Sequence, residues 1–357
     1  MIPKHFIILL VSLICFGFSN QLHSSDFEEQ DIKSYIKEFI AHHLKDSHSF
    51  GITSFKDENG EKVYIELPLP VVLYDNGFKT FMSSQFKHGK KTVKSGDNFY
   101  KMNYDNNRIY NTDSSGTIVF DDSGKITNKR PIDFSITKNV VVIIFTALFM
   151  LWLFTSLARS YKKNNGIASG FARLFEPVVL YVRDDIARPN IGEKYYKKYM
   201  SFLLTIFFFV LFLNLFGLTP IGINVTGNIA ITFSLALLTF VITNITANKN
   251  YWMHIFWMPG VPTLMKIVLA PIEVLGLFIK PLTLMIRLYA NMQGGHIVIM
   301  SIIGLMFIFS NWLGSSLSFV LAFFLMIIEV FVALLQAYIF TILSALYFGF
   351  ANEEHEH

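Results

Sequence analysis

Residues 263–310 read TLMKIVLAPIEVLGLFIKPLTLMIRLYANMQGGHIVIMSIIGLMFIFS, and this stretch decides what kind of protein the chain forms. It is almost wholly apolar, yet Lys266, Glu273, Lys280 and Arg287 interrupt it at intervals of seven. Seven residues is nearly two helical turns, so the four charges lie along one slowly drifting stripe of a helix. Asn291 continues the stripe one turn after Arg287, and Gly294-Gly295 closes it. A helix over 263–310 is roughly 70 Å long, more than twice the ~30 Å hydrocarbon core of a bilayer. It must tilt steeply, lie partly on the surface, or break. Each charge in such a helix costs about 2.5–3.5 kcal/mol on insertion scales. Lys266 and Lys280 fit snorkelling to the surface, and Glu273 can pair with them. Arg287 does not fit, because no charged residue follows it from Leu288 to Ile328.

The rest of the chain is read outward from this helix. Of 357 residues, 52% are hydrophobic and only 16% charged, against about a quarter charged in soluble domains. This excludes a disordered chain, a coiled coil and a collagen-like repeat. The charges are uneven: residues 20–137 carry 15 Lys/Arg and 17 Asp/Glu, whereas 199–350 carry six in all. Uncharged segments at 139–158 and 199–248 precede the long helix, the second broken by Gly217, Pro220, Gly222, Asn224 and Gly227. The fold class expected is an all-α polytopic membrane protein with five membrane helices, at about 139–158, 199–217, 228–248, 263–310 and 317–350. Gly314-Ser315-Ser316 is expected to be the turn before the last. The last two helices are expected as a long, steeply tilted antiparallel hairpin, and a polar tail follows at 353–357.

The N-terminus reads MIPKHFIILLVSLICFGFS, a basic start, an apolar run and small residues, as in a signal peptide over 1–19. A cut there removes Cys15, the only cysteine, and with it disulfides, thiol catalysis and Cys-metal sites. Residues 20–137 then form a small α+β exported domain. It has an amphipathic helix from Asp31 and strands near 63–65, 71–74, 98–104 and 117–120. His42, His43, His48 and His88 match no strong metal-ligand spacing and are expected on the solvated surface. The 159–198 loop carries nine Lys/Arg, while the turns near 218–228 and 311–316 carry none. The positive-inside rule makes this loop cytoplasmic, which agrees with an exported N-terminal domain and a cytoplasmic C-terminus. Topology is sufficient cause for the basic charge, and no nucleic acid is needed.

Glu329 and Gln336 are also seven apart on the last helix. With Gln336 level with Arg287, Glu329 lies about 10 Å and His296 about 13 Å toward the outer side. An imidazole and a carboxylate at similar depth beyond a fixed arginine suggest a proton relay.

Two stretches carry a family resemblance. Lys280-Pro-Leu-Thr-Leu-Met-Ile-Arg-Leu-Tyr-Ala-Asn-Met-Gln-Gly-Gly-His296 resembles the signature of the a subunit of F-type ATP synthase. Leu334-Leu-Gln-Ala-Tyr-Ile-Phe-Thr-Ile-Leu-Ser-Ala-Leu-Tyr347 resembles the last helix of that family, and Asn214-Leu-Phe-Gly-Leu-Thr-Pro220 its turn after an earlier span. The similarity covers about 140–350. It implies that Arg287 is the essential arginine and that Asn291 and Gln336 line half-channels. It also implies that Glu273 is a carboxylate on the cytoplasmic side and that His296 and Glu329 hold acid–base positions. Some members have the acid first and the histidine second; here the order is reversed. The implied partners are a c-subunit ring, the b-subunit stalk, the rest of the F1Fo complex and the lipid bilayer of a bacterial inner membrane. No cofactor and no catalytic site of the chain's own are implied. The stretch around His42-His43 and Leu67–Tyr74 is similar to the longer N-terminal segment of members from Bacteroidetes-like bacteria.

Two other classes fit parts of the sequence. A secondary transporter or ion channel would use Glu273, Arg287 and Glu329 to bind an ion, but no inverted repeat is visible. A membrane-anchored binding protein would act through residues 20–137, which offer no site.

Overall fold

The computed structural model describes residues 36–353 except 38, 39, 42, 57–61, 88, 104, 164–169, 220–222, 259, 310 and 311. The expected signal peptide, His42, His88 and the tail beyond 353 lie outside the described residues. The chain divides into two compact units, one built mainly on residues 1–142 and the other on most of 143–357.

The first unit carries eight strands: β1 (Ser49–Lys56), β2 (Lys62–Pro68), β3 (Pro70–Tyr74), β4 (Phe78–Met82), β5 (Val93–Ser95), β6 (Asn98–Asn103), β7 (Arg108–Thr112) and β8 (Ile132–Asp133). They form three small antiparallel sheets, β1-β2, β4-β3-β8 and β5-β6-β7. Val71, Leu73, Phe86, Val93, Tyr100 and Ile109 make the core. Sequence reading misses β1 because its pairing slips between Gly51 and Thr53, which breaks the alternation that marks a strand. The strand expected at 117–120 is not one. Only an isolated bridge forms there, Phe120 with Ile126. Thr117 N–H donates to Asp113 Oδ1 and Val119 N–H to Asn128 Oδ1, so side chains take the place of a longer ladder.

Asp75 is buried at the meeting of these sheets. Its carboxylate accepts from Asn98 Nδ2, Tyr100 Oη, Asn111 Nδ2 and Lys129 Nζ at 2.8–3.3 Å. The Lys129 ammonium is the main cause that holds the Asp75 carboxyl below its usual range. His48 corrects an expectation: it is buried, and its Nε2 lies 2.9 Å from Asp133 Oδ2. A carboxylate 85 residues away in sequence supplies the partner that makes its burial tolerable.

Among the described residues, five helices are long and apolar enough to cross a membrane. In chain order the helices are α1 (Lys138–Lys163), α2 (Glu176–Tyr181), α3 (Arg188–Ile191), α4 (Tyr196–Gly217), α5 (Ile229–Thr246), α6 (Lys249–Phe256), α7 (Thr263–Ile308) and α8 (Trp312–Asn352). The five spans are α1, α4, α5, α7 and α8. The 46 residues of α7 are unbroken by Pro271 and Pro281, so of the alternatives open to so long a helix, a break is excluded. The expected turn at Gly314-Ser315-Ser316 lies instead inside the first turns of α8. The glycine serves close approach: a Cβ at 314 would press on the Phe309 ring.

Phenylalanines build the core of the second unit. Phe208 and Phe212 on α4 meet Phe154, Phe149 and Phe175 edge-on at centroid distances of 5.0–6.0 Å, a geometry that favours aromatic pairs. At one end of α4, the Tyr199 ring stacks on Phe348 at 4.4 Å. Its hydroxyl donates to Thr246 and accepts from Asn352. This clamp fixes α4, α5 and α8 to one another and sets the frame in which α7 lies.

Candidate functional site

Three contacts at increasing height set the register of α7 against α8. Lys280 Nζ lies over the Tyr347 and Phe350 rings, 5.8 Å from each centroid. Asn291 Nδ2 donates to Gln336 Oε1 at 2.9 Å. The Glu329 carboxyl occupies the space that a Cβ on residue 295 would fill. Numbers rise on one helix as they fall on the other, so the pair is antiparallel. Glu329 beside Gly295 puts Gln336, seven residues on, opposite residue 288, so Gln336 lies within a residue of the level supposed for it at Arg287. Asn291 reaches Gln336 from the next turn of α7. Gly295, without a Cβ, leaves the room that the Glu329 carboxyl takes in this register. This register sets Glu329 beside Gly295, the residue before His296.

Glu329 is 8% exposed and Gln336 1%. Glu329 Oε2 and Gln336 Nε2 are buried without a hydrogen-bond partner among the described residues. Unsatisfied buried polar atoms are costly and mark places held for function rather than stability. Arg287, Glu273 and His296 are partly exposed and Asn291 is exposed. Among the described residues no carboxylate lies within ion-pair distance of Arg287. The ion-pair explanation for an arginine at this depth is therefore absent there. Both lysines lie over aromatic rings, Lys280 on Tyr347 and Phe350 and Lys266 over Trp257 at 4.8 Å.

Sequence reasoning missed a second polar group beside Asn291. Between α4 and α5, Asn224 Nδ2 donates to the Met292 carbonyl at 2.9 Å. Its Oδ1 accepts from the Gly227 N–H at 2.8 Å. Thr226 donates to Asn214 Oδ1 at 2.8 Å, and both are fully buried. Gly227 leaves room for the Gln293 amide. The signal was present: Asn214, Asn224 and Thr226 are polar residues in a segment without charges, where burial forces them to find one another.

A third group lies toward the N-terminal half of α7. Thr239, Thr243 and Asn244 on α5, Tyr251 on α6 and Lys280 on α7, together with apolar side chains such as Phe240, Leu277 and Leu284, line a mostly apolar cavity of about 20 Å³, room for a single water. Burial and, second, the Glu273 carboxylate push the Tyr251 phenol up to about 12. Glu273 thus acts electrostatically on this cavity's wall. Arg287 lies along α7 between this group and the Asn291–Glu329 group.

The family described as "ATP synthase A chain" matches residues 140–349. The chain belongs to this family. Relatives named "ATP synthase subunit a" are similar over much of their length. The one from Chloroherpeton thalassium is 42% identical over 63% of this chain and 69% of its own. The one from Chlorobium phaeobacteroides is 41% identical over 76% and 78%, and that from Myxococcus xanthus 40% over 63% and 78%. Residues 39–134 match a separate family described as "Domain of unknown function (DUF8433)". The family match thus begins within α1 and takes in every residue of the three polar groups above.

Gly295 gives a direct test of the Glu329 seat. Gly295→Ala displaces the carboxyl, whereas Gly294→Ala meets nothing within 4 Å. Proton transport in vesicles is expected to fall sharply in the first and stay near parental in the second. Equal effects contradict the seat.

Proposed function

We propose that this chain is the proton-translocating stator subunit of an F-type ATP synthase membrane sector. It offers a c-subunit ring two half-channels kept apart by Arg287. The observation that carries this is the order of groups along α7: Glu273 and the Thr239, Thr243, Asn244 and Tyr251 side chains toward its N-terminal half, then Arg287 without an ion pair among the described residues, then the Asn291, Gln336 and Glu329 cluster. Membership of the ATP synthase A chain family supports it.

In this reading the 159–198 loop and the C-terminus are cytoplasmic and the N-terminal domain is periplasmic. Protons enter from the periplasm past Asn291, His296, Glu329 and Gln336, with Asn224, Thr226 and Gln293 extending the polar lining. They pass to a carboxylate on a c subunit. That group, once neutral, can face lipid as the ring turns, because the cost of its charge in hydrocarbon is gone. Protons leave by a cytoplasmic path near Glu273. Arg287 keeps its charge at any relevant pH. It repels a proton moving directly between the paths and favours the ionised form of the arriving carboxylate. The driving force is about 2.3 kcal/mol per charge per 100 mV. The α7–α8 hairpin tilts against the ring, which accommodates its length. The large apolar surface that α7 leaves exposed, Leu264, Ile267, Val268, Leu275 and Leu282 among it, suits such a partner and the lipid beside it. The b-subunit stalk holds the chain against rotation.

The experiment is purification through a tag on this chain. A c-subunit ring and the b subunit are expected to copurify, and the complex is expected to pump protons on ATP. Recovery of the chain without a ring contradicts the proposal.

A further inference from the structure

The sheet β4-β3-β8 of the first unit carries Lys79 and Asp133 among the apolar residues of its inward face, and its outward face is largely apolar too. One face supplies Val71 and Leu73 to the core. On the other, Tyr74 pairs with Phe78 on one side and Ile132 on the other. Met82 pairs with Pro70, and the Phe134 N–H donates to Val72 O at 2.8 Å. Phe78 is 70% exposed, Phe134 61% and Ile132 58%. The Tyr74 and Phe78 rings meet edge-on at 5.3 Å. Thr80 is the one strand residue on this face that is neither apolar nor aromatic, and none is charged. The water-facing side of an antiparallel sheet is ordinarily polar, and a continuous apolar patch marks an interaction surface.

The chain path says what covers it. Ile136 N–H still bonds Pro70 O on β3, and α1, an apolar helix of membrane-crossing length, begins at Lys138. Two residues reach at most about 7 Å. The headgroup zone is itself about 5–8 Å deep on each side of the hydrocarbon core. The Pro70 end of this sheet therefore sits within about one headgroup depth of the start of α1, and a sheet lying flat there carries Tyr74 and Phe78, about 13 Å farther along β3, in the same zone. Exposed basic residues border the face, Lys87, Lys90 and Lys91 after β4 and Arg130 before β8, placed as for lipid phosphates. Aromatic rings with a basic border are the composition of interfacial anchors.

We infer that the outward face of β4-β3-β8 rests on the bilayer, with Tyr74, Phe78 and Phe134 in the headgroup zone. The face anchors the domain flat at the root of α1. This depends on α1 spanning the membrane and not on the roles given to Arg287 and its neighbours.

The test uses the full chain with Cys15→Ser, reconstituted in phosphatidylcholine–phosphatidylglycerol vesicles. Spin labels are placed at Phe78→Cys, Phe134→Cys and, as a water-facing reference, Asp122→Cys. Collision with oxygen relative to a water-soluble nickel chelate is expected to rise several-fold at 78 and 134 over 122. A ratio at 78 and 134 equal to that at 122 overturns the inference. So does exclusion of both reagents, which signifies a protein cover. Thr80→Cys, on the same face and removing no aromatic ring, carries the same reading where the other variants fail to fold.

Discussion

Replacing Arg287 with alanine is expected to abolish ATP-driven proton pumping and to leave the complex assembled. The first half follows from the proposed role. Without a fixed positive charge between the two polar groups, nothing favours ionisation of the arriving carboxylate and nothing bars a proton from crossing directly. The second half follows from the structure. Arg287 is partly exposed and joins no ion pair among the described residues, so its loss leaves no carboxylate stranded there. Most structural arginines at such depth would break the fold on removal. Quenching of a pH-sensitive dye in inverted vesicles reads the result, with subunit composition as the assembly control. Arg287→Lys is also expected to fail. A lysine at this depth can give up its proton, and its point charge lacks the guanidinium's planar fork. Pumping at the parental rate in Arg287→Ala contradicts the assignment.

Exchanging His296 and Glu329 preserves most of the activity, and losing both does not. Glu329 seats on Gly295 next to His296, so the two side chains serve one level of the hairpin. A relay needs one acid–base group of each kind there rather than a given order along the chain. Positioned acid–base groups contribute about 10²–10⁴-fold to proton transfers. His296→Ala with Glu329→Ala is thus expected to lose about two orders of magnitude or more in pumping rate. His296→Glu with Glu329→His stays within about one. An exchange as damaging as the double loss removes the paired relay from the account.

What the sequence made legible follows from how costly each feature is. Charges in an apolar helix are so unfavourable that Arg287, Glu273 and Glu329 stand out without any structure. The five spans are equally plain, because length and the absence of charge suffice to define them. The register of α7 on α8 supposed from Gln336 and Arg287 holds to within a residue at Glu329, but what seats it was not legible. It depends on where a missing Cβ leaves room, and Gly295 reads as an ordinary glycine until a carboxyl is found in its place. The Asn224–Thr226–Asn214 group was hidden for a related reason, since neutral polar residues cost little enough that their pairing must be seen. His48 was misjudged because its partner Asp133 is remote in sequence. The apolar outer face of β4-β3-β8 escaped notice because a strand that is apolar on both sides reads like a buried one.

Two separate paths meeting at Arg287 form the centre of the account, and sided access tests it most directly. In chains with Cys15→Ser, single cysteines at Glu273 and Asn291 are exposed to a membrane-impermeant thiol reagent in vesicles of each orientation. The account predicts that position 291 reacts only from the periplasmic side and position 273 only from the cytoplasmic side. Reaction of both from the same side contradicts it.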